Sequence, residues 1–263
     1  MQVSRSGYYV HLNKQITVRE VEDEVLSEKI LAVFQEHRGR YGSGRIKKCL
    51  EREMIQVSRR RIVRLMRRQG LYPKGFPHRY KYGKRTQKEI YPNVVNQEFN
   101  IGKKNQIWFG DISYIPTKEG MLYLSVFIDG YSRKCIGYAL REHMRESIVI
   151  ESLQQAITKE KPRAGLIIHS DRGSQYTGST YIEFLQAHKF IISHSRAGTP
   201  YDNAMIESFY KSFKREVLNK KPFSSKAQAT IEILHYLEIY YNQKRHHSSL
   251  GYMTPFEYET QST

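Results

Sequence analysis

The sequence has 263 residues, enough for one large domain or two ordinary ones, and 39% of them are hydrophobic. No run approaches the roughly 20 apolar residues that a membrane-spanning helix needs. The first ten residues, MQVSRSGYYV, lack the apolar stretch of a secretion signal. The two cysteines, Cys49 and Cys135, form neither a disulfide framework nor a zinc site. These features argue against a membrane protein or a secreted protein and favour a reducing, cytoplasmic compartment.

The net charge of +17 is concentrated in one segment. Residues 38–89 contain 18 Lys or Arg and three Asp or Glu, a net charge of +15 in about a fifth of the chain. Ordinary solvated surfaces mix the two signs, whereas an excess of this size attracts polyanions. The segment therefore predicts contact with a nucleic acid, and a surface that serves solubility alone is the weaker interpretation.

Three helices are predicted in the N-terminal region. Apolar residues at helical spacing predict the first over residues 20–38, and Gly39 ends it. Ser43 is a candidate N-cap for the second helix, and Ser58 is a candidate N-cap for the third, which stops at Gly70. Short helices joined by tight glycine turns are typical of small DNA-binding units.

The third helix carries a cationic face. Arg60, Arg64 and Arg67 recur at spacings of four and three residues, while apolar residues of the same helix face inward. An arginine-rich last helix predicts a helix-turn-helix-like DNA reader. The alternative is a small basic helical bundle that makes no contact with a DNA groove.

A different pattern begins at Ile107. The runs IWFGDISYI, MLYLSVFID and KCIGYAL predict three strands of an antiparallel meander. Two further strands, LIIHSD and FIIS, alternate with helices, and two more helices follow, so the order is β-β-β-α-β-α-β-α-α. The helices are predicted over residues 142–159, 179–188, 202–219 and 226–241, and Asp202 or Asn203 is a candidate cap for the third of them. This order predicts an α/β fold with a mixed sheet flanked by helices.

These patterns divide the chain into three parts. Residues 1–72 are predicted to be a helical DNA-binding region. Residues 73–104, where Pro and Gly interrupt any periodicity, are predicted to be a basic linker. Residues 105–260 are predicted to be the catalytic core with a C-terminal helical extension.

Three carboxylates stand at positions where they can converge. Asp111 is in the middle of the first strand, Asp171 ends the apolar strand LIIHSD, and Glu207 is near the start of a helix. Open mixed sheets bind ligands at the ends of strands, and oxygen ligands suit Mg²⁺ or Mn²⁺. Each acid taken alone has a simpler interpretation. Asp111 could belong to an ion pair in the core, Asp171 could begin a turn, and Glu207 could be an acid that the helix dipole favours at the start of a helix.

Several segments resemble a known family. WFGDISYI, LYLSVFIDGYSRKCIGY, IIHSDRGSQYT, SRAGTPYDNAMIESFYKSFKRE and YYNQKRHHSSLGYMTPFEY are similar to the integrase core of bacterial insertion-sequence transposases. These relatives are the second-reading-frame proteins of two-frame elements and are related to retroviral integrases. The stretch YGSGRIKKCLEREMIQVSRRRIVRLMRRQGLYPK is similar to their second helix-turn-helix region. The 35 residues between Asp171 and Glu207 are the spacing typical of that family.

The resemblance implies a ribonuclease-H-like fold and a catalytic triad of Asp111, Asp171 and Glu207. The implied function is that of a DNA transposase, which cuts the 3′ end of a mobile element and joins it to another strand. The expected cofactor is Mg²⁺ or Mn²⁺, as two ions held by the three carboxylates. We expect Asp111 to bridge both ions, because its strand position is the most rigid.

Further residues are expected to contact DNA. Lys211, Lys214 and Arg215 follow Glu207 on the same helix and share its face, where they can meet phosphates. Arg245 belongs to a C-terminal basic cluster for which contact with the DNA backbone is our interpretation. The expected DNA-binding set is therefore these four residues together with Arg60, Arg64 and Arg67.

The expected partners are the ends of a mobile element and its target DNA, with no membrane. We also expect a homo-oligomer, a nucleoid-associated location, and association with an upstream-frame protein or fusion to it through a frameshift. Two alternatives remain: a metal-dependent nuclease that cuts without joining, and a non-catalytic regulator that only binds element DNA. An intact triad disfavours the regulator, because three uncompensated carboxylates would repel DNA.

Overall fold

The structure is a computed structural model that describes residues 17–74, 90–218 and 222–261. It divides into two compact units, and the division falls between Lys74 and Gly75. In the ranges described, no helix is both long enough and apolar enough to cross a membrane.

In residues 17–74, the described part of the first unit, there are three helices, α1 (Val18–Glu36), α2 (Ser43–Arg52) and α3 (Arg59–Arg68). Thr17 caps α1 through a reciprocal exchange of hydrogen bonds with Glu20. The predicted cap of α3 is confirmed, because Ser58 Oγ accepts a hydrogen bond from Arg61 N at 3.2 Å. The apolar faces of the helices meet in a core of fully buried side chains: Ile30, Tyr41, Ile46, Leu50, Ile62 and Leu65.

The predicted cap of α2 is wrong. Gly42 occupies the N-cap position of α2, and Ser43 is the first residue of the helix. The Ser43 hydroxyl instead accepts a hydrogen bond from Arg59 Nε at 3.1 Å, so this side chain links α2 to the start of α3.

The second unit contains a five-stranded sheet and five α-helices in its described part. The strands are β1 (Ile107–Thr117), β2 (Gly120–Asp129), β3 (Cys135–Arg141), β4 (Ile167–Ser170) and β5 (Ile191–His194). The helices are α4 (Ser147–Glu160), α5 (Ser179–Ala187), α6 (Ala204–Phe213), α7 (Lys226–Leu234) and α8 (Pro255–Gln261).

The sheet is mixed, with strand order β3-β2-β1-β4-β5. The first three strands form the predicted antiparallel meander, while β4 pairs with β1, and β5 with β4, in parallel. Strand β1 lies at the centre. This topology confirms the expected ribonuclease-H-like sheet flanked by helices.

Helix α4 approaches the sheet closely at Gly137 of β3. A methyl group at Gly137 would overlap the carbonyl oxygen of Ser152 and lie 2.8 Å from Ala156 Cβ. Both neighbours are buried in α4, so neither can move aside without shifting the helix. Only glycine permits this contact between strand and helix.

We therefore expect Gly137→Ala to lower the free energy of unfolding by about 2 to 3 kcal/mol. Gly102→Ala is the matched control, because a methyl group there meets nothing within 4 Å. Urea unfolding of both variants measures the difference. Equal stabilities for the two variants would contradict the close packing of α4 on β3.

Two predicted helices have different ends. Helix α4 begins at Ser147, because residues 142–146 form a connection after β3. The helix predicted over residues 202–219 is a 3₁₀ turn (Pro200–Asn203), then α6, then a π-helical segment (Lys214–Leu218). Asn203 occupies the predicted N-cap position of α6, but its side chain makes no capping hydrogen bond.

The predicted linker differs from the structure in its described part. Residues 75–89 lie outside the described residues. After them, Tyr91 N donates to His194 Nδ1 at 3.3 Å, and Val94 N donates to Ser193 Oγ at 2.9 Å. The described part of the predicted linker is therefore attached to the edge strand β5 at Tyr91 and Val94.

Candidate active site

Strand pairing places Asp111 beside Asp171. In the parallel pair of β1 and β4, Gly110 is the partner of Ser170, and each acid is the next residue of its chain. Neighbouring strands lie about 4.8 Å apart, so the two carboxyl groups occupy adjacent positions at the end of β4. The sequence predicted this convergence.

Each of these two carboxylates is held by a nearby backbone amide. Asp111 Oδ1 accepts from Ile112 N at 2.8 Å, and Asp171 Oδ1 accepts from Gly173 N at 2.6 Å. Burial, and after it the negative charge of Asp171, raises the pKa of Asp111 to about 8. Two facing carboxylates that repel one another form a site that favours a cation.

Glu207 approaches the same strand on helix α6. Tyr210, three residues later on this helix, shares its hydroxyl proton between the carbonyl oxygens of Asp111 (2.8 Å) and Leu124 (2.7 Å). Residues three apart lie on one side of a helix, so Glu207 is on the side that faces β1. Its side chain is exposed, and its charge contributes to the raised pKa of Asp111.

The three carboxylates do not form a closed ligand set as they stand. In the described ranges, no three His, Cys, Asp or Glu side chains lie close enough together to hold one metal ion. Asp111 and Asp171 are the adjacent pair. Glu207 is the outlying member, and its exposed side chain has the freedom to change rotamer.

The cations after Glu207 fall in two different environments. Lys214 is half-buried. Burial lowers the pKa of Lys214, and the negative charge of Asp111 partly offsets this effect. Lys211 and Arg215 are exposed. Lys214 is thus directed towards the acids, whereas the other two side chains are open to solvent.

An ion pair between the exposed Arg196 and the buried Asp202 fixes the loop that leads to α6. Asp202 is fully buried and accepts three hydrogen bonds from Arg196, at 2.8 to 3.0 Å, and one from Gln97 at 2.7 Å. The Arg196 guanidinium holds the pKa of Asp202 below its usual value. The sequence predicted only a capping role for Asp202, because a loop sequence does not show which side chains fold back on one another.

Arg245 is not at the surface, so the prediction that it contacts the DNA backbone is wrong for this structure. Its side chain is buried and forms a bidentate ion pair with Glu216, with Arg245 Nε 3.0 Å from Glu216 Oε2 and Nη2 3.1 Å from Oε1. Burial alone would lower the pKa of Arg245, but the facing carboxylate of Glu216 raises this pKa above its usual value. This guanidinium supports the C-terminal helices from inside.

The arginines of α3 are exposed as expected, but one of them is already paired. Arg60, Arg64 and Arg67 are exposed. Arg64 Nη2 donates to Asp23 of α1 at 2.6 Å, and Arg61 Nε donates to the other oxygen of Asp23 at 2.7 Å. On the cationic face of α3, Arg60 and Arg67 therefore have no ion pair with a carboxylate of the described residues.

Comparison with known proteins places this site in a family. Two models described as "Integrase core domain" match residues 102–200 and 188–255, and a model described as "HTH-like domain" matches residues 20–82. The transposase for insertion sequence element IS904 of Lactococcus lactis subsp. lactis (strain IL1403) is 47% identical over 249 residues, 94% of this chain and 98% of that protein. The chain belongs to the insertion-sequence transposases.

Other transposases and integrases are also similar to this chain. Transposase InsF for insertion sequence IS3A of Escherichia coli (strain K12) is 32% identical over 265 residues, covering 100% of this chain and 92% of that protein. The HTLV-2 integrase catalytic core domain in complex with magnesium (trimeric form) is 21% identical, with a TM-score of 0.44, over 59% of this chain and 96% of that one. Family membership makes DNA transposition the general activity of this transposase and the polynucleotidyl transferases its enzyme class.

The electrostatics of the acid pair predict how stability of the metal-free transposase depends on pH. The pKa of Asp111 is raised from 3.8 to about 8, so the folded state resists its ionisation. The stability that the neutral carboxyl gives is present below pH 4 and is lost as pH rises towards 8. We expect Asp111→Asn, which is always neutral, to become progressively more stable than the wild type between pH 5 and pH 8.

Urea unfolding in EDTA at both pH values measures this difference. Asp202→Asn is the contrasting control, because the pKa of Asp202 is lowered by Arg196. Its carboxylate stabilises the fold above the pKa of the unfolded state, so its replacement should destabilise the protein at both pH values. An Asp111→Asn advantage that does not grow with pH would contradict the raised pKa of Asp111.

Proposed function

We propose that this transposase cleaves the 3′ ends of a mobile element and transfers them to a target strand, with Asp111, Asp171 and Glu207 as the catalytic carboxylates. The observation that carries the proposal is the side-by-side placement of Asp111 and Asp171 at the end of β4. Burial, and after it the negative charge of Asp171, raises the pKa of Asp111 to about 8, a cost that a structural role does not explain.

The donor set fits a hard divalent cation. Carboxylate oxygens are the ligands that Mg²⁺ and Mn²⁺ prefer, and we propose two such ions, held by Asp111, Asp171 and Glu207. The ions would activate the attacking oxygen and stabilise the leaving oxygen of the phosphodiester. Asp111, the central and best-anchored of the three, is the residue we propose to be shared between the ions.

The chain's own residues bring these carboxylates together. Tyr210 fastens α6 to the backbone of Asp111 and Leu124, so that Glu207 stays beside the strand. Asp202 and Arg196 lock the loop before α6. A change of rotamer at the exposed Glu207 would complete the set without moving the helix.

Cations around the acids have the chemistry to bind the DNA backbone. Lys211 and Arg215 are exposed on the same helical stretch as Glu207, and Lys214 lies near Asp111. We propose that these three contact phosphates near the cleaved bond and that Arg60, Arg64 and Arg67 of α3 contact phosphates elsewhere. No side-chain nucleophile is required, because a water and then the freed 3′-OH attack in turn.

Organisation and partners follow from this chemistry. We propose a helical DNA-binding region, a basic connection and a catalytic core, close to residues 1–72, 73–104 and 105–260. An element has two ends that are cut and joined together, so at least two copies of the chain are expected to act as a homo-oligomer. Joint action with an upstream-frame protein, or fusion to it, is part of the proposal.

The test is an assay with purified transposase, labelled element-end duplex, target DNA and Mg²⁺. Nicks at the 3′ ends together with covalently joined strands support the proposal. Nicks without joined products identify the metal-dependent nuclease. Binding of the duplex without either product, in Mg²⁺ and in Mn²⁺, identifies the non-catalytic regulator.

A further inference from the structure

Tyr176 and Tyr181 in the second unit carry buried hydroxyls without a hydrogen-bond partner. Tyr176 and Tyr181 are each 1% exposed, and in the part of the chain that the structure describes neither hydroxyl has a donor or acceptor within reach. An unsatisfied buried hydroxyl destabilises a fold, so a native structure rarely keeps one without a reason. The two rings contact each other edge to face, with centroids 5.6 Å apart.

Only one of these two tyrosines has its ring beside one of the acids. Tyr176 follows Asp171 by five residues, and its backbone is fixed by a hydrogen bond from Tyr176 N to Gly173 O at 3.0 Å. A methyl group at Gly173 would lie 2.7 Å from Asp171 Oδ1 and 3.4 Å from Tyr176 Cδ2, so the carboxylate and the ring flank the same point. Gly173 leaves that point open.

The causes of the raised pKa also differ between the two tyrosines. Burial raises the pKa of both hydroxyls, and the charges of Asp111 and Asp171 raise the pKa of Tyr176 further. Burial is the sole cause for Tyr181. The Tyr176 hydroxyl therefore keeps its proton at neutral pH and can donate it to an oxygen atom at the acid pair.

We propose that Tyr176 is a positioning residue whose hydroxyl donates a hydrogen bond to an oxygen atom that arrives at Asp111 and Asp171. That atom is a water oxygen carried by the divalent cation or a phosphate oxygen of the DNA. The proposal rests on the proposed function for the identity of the site. It explains why a tyrosine whose ring flanks Asp171 keeps an unpartnered hydroxyl, since the donor acquires its acceptor when the site is filled.

Tyr176→Phe tests this by removing one oxygen atom and leaving the ring, and Tyr181→Phe is its matched control. Without metal or DNA, both variants should melt at or above the wild-type temperature, by up to about 2 to 4 °C, because each loses an unsatisfied hydroxyl. With Mg²⁺, the wild type and Tyr181→Phe should gain more stability than Tyr176→Phe. A difference with Mg²⁺ alone identifies the water oxygen, and a difference only when element-end duplex is added identifies the phosphate oxygen.

Cleavage supplies the second readout. Tyr176→Phe should lower kcat by about 5- to 10-fold with an unchanged affinity for DNA, whereas Tyr181→Phe should match the wild type. Equal behaviour of the two variants, in both the melting and the cleavage experiments, would overturn the proposal. If the wild type neither cuts nor joins DNA, the proposed function fails, and the melting comparison still decides whether Tyr176 responds to an occupied acid pair.

Discussion

Asp111→Asn, Asp171→Asn and Glu207→Gln are each expected to reduce DNA cleavage by at least about 1000-fold while leaving DNA binding intact. Each change removes the charge of one proposed metal ligand and keeps the shape of the side chain. A loss of about 4 kcal/mol of transition-state stabilisation corresponds to this factor, because each 1.4 kcal/mol is about tenfold in rate. Single-turnover cleavage of a labelled duplex and a binding titration measure the two quantities.

The rise in melting temperature that Mg²⁺ causes is a second test of the same carboxylates. Mg²⁺ should raise the melting temperature of the wild type and should raise that of Asp111→Asn much less, because the asparagine supplies no anionic ligand. Glu183→Gln on α5 is the control for a lost acid, since Glu183 is exposed and lies on another helix. Near-normal cleavage by any one of the three variants would remove that residue from the triad.

The adjacency of Asp111 and Asp171 could be predicted because it follows from strand pattern alone. Asp171 ends a short apolar strand and Asp111 lies in the middle of β1, and the parallel pairing of β1 with β4 makes the two positions neighbours. The cap at Ser58 could be predicted for a similar reason, since a cap depends on a few consecutive residues. Local patterns therefore gave the elements and the position of the acid pair.

The environment of Arg245 could not be predicted in the same way. Its partner Glu216 is 29 residues away and lies in a π-helical segment that a helical pattern does not distinguish from an α-helix. A second π-helical segment (His235–Tyr241) carries Tyr236, whose hydroxyl donates to the same carboxylate at 3.0 Å. A surface role for an arginine in a basic cluster is the ordinary expectation, and only the fold reveals a buried partner.

The Tyr176 hydroxyl shows another limit of sequence reasoning. Tyr176 lies in the polar stretch SDRGSQYTGS, and the sequence does not say that its ring is buried or whether its oxygen has a partner. The same holds for Asp23, which removes part of the positive charge of α3 by pairing with Arg61 and Arg64. In both cases the deciding quantity is a contact between side chains on separate elements.

The second large effect is expected for DNA binding by the basic N-terminal region. Replacing Arg60, Arg64 and Arg67 together with Ala should flatten the dependence of log affinity on log salt concentration by about two units. Each neutralised phosphate contributes a slope of about −0.9, and Arg60 and Arg67 are the two exposed arginines of this face without a described carboxylate partner. Arg64 should add less, because its guanidinium is shared with Asp23.

A salt titration on element-end and random duplexes measures this change. From 200 mM to 50 mM salt, the deficit in affinity of the triple variant should grow by about tenfold, and equally on both duplexes if the contacts are to phosphates. If one arginine reads a guanine edge instead, its loss should cost about 1 to 3 kcal/mol at a single base position.

Arg61→Ala is the matched control on the same helix. The Arg61 side chain is only partly exposed and is held by Asp23 and Glu22, so its loss should lower the stability of the unit and leave the salt slope unchanged. Because residues 38–89 hold a net charge of +15 of the total of +17, the rest of the chain should bind DNA poorly by charge alone. An unchanged slope for the triple variant on both duplexes would mean that α3 does not touch the DNA backbone, and the assignment of this face to DNA would fall with it.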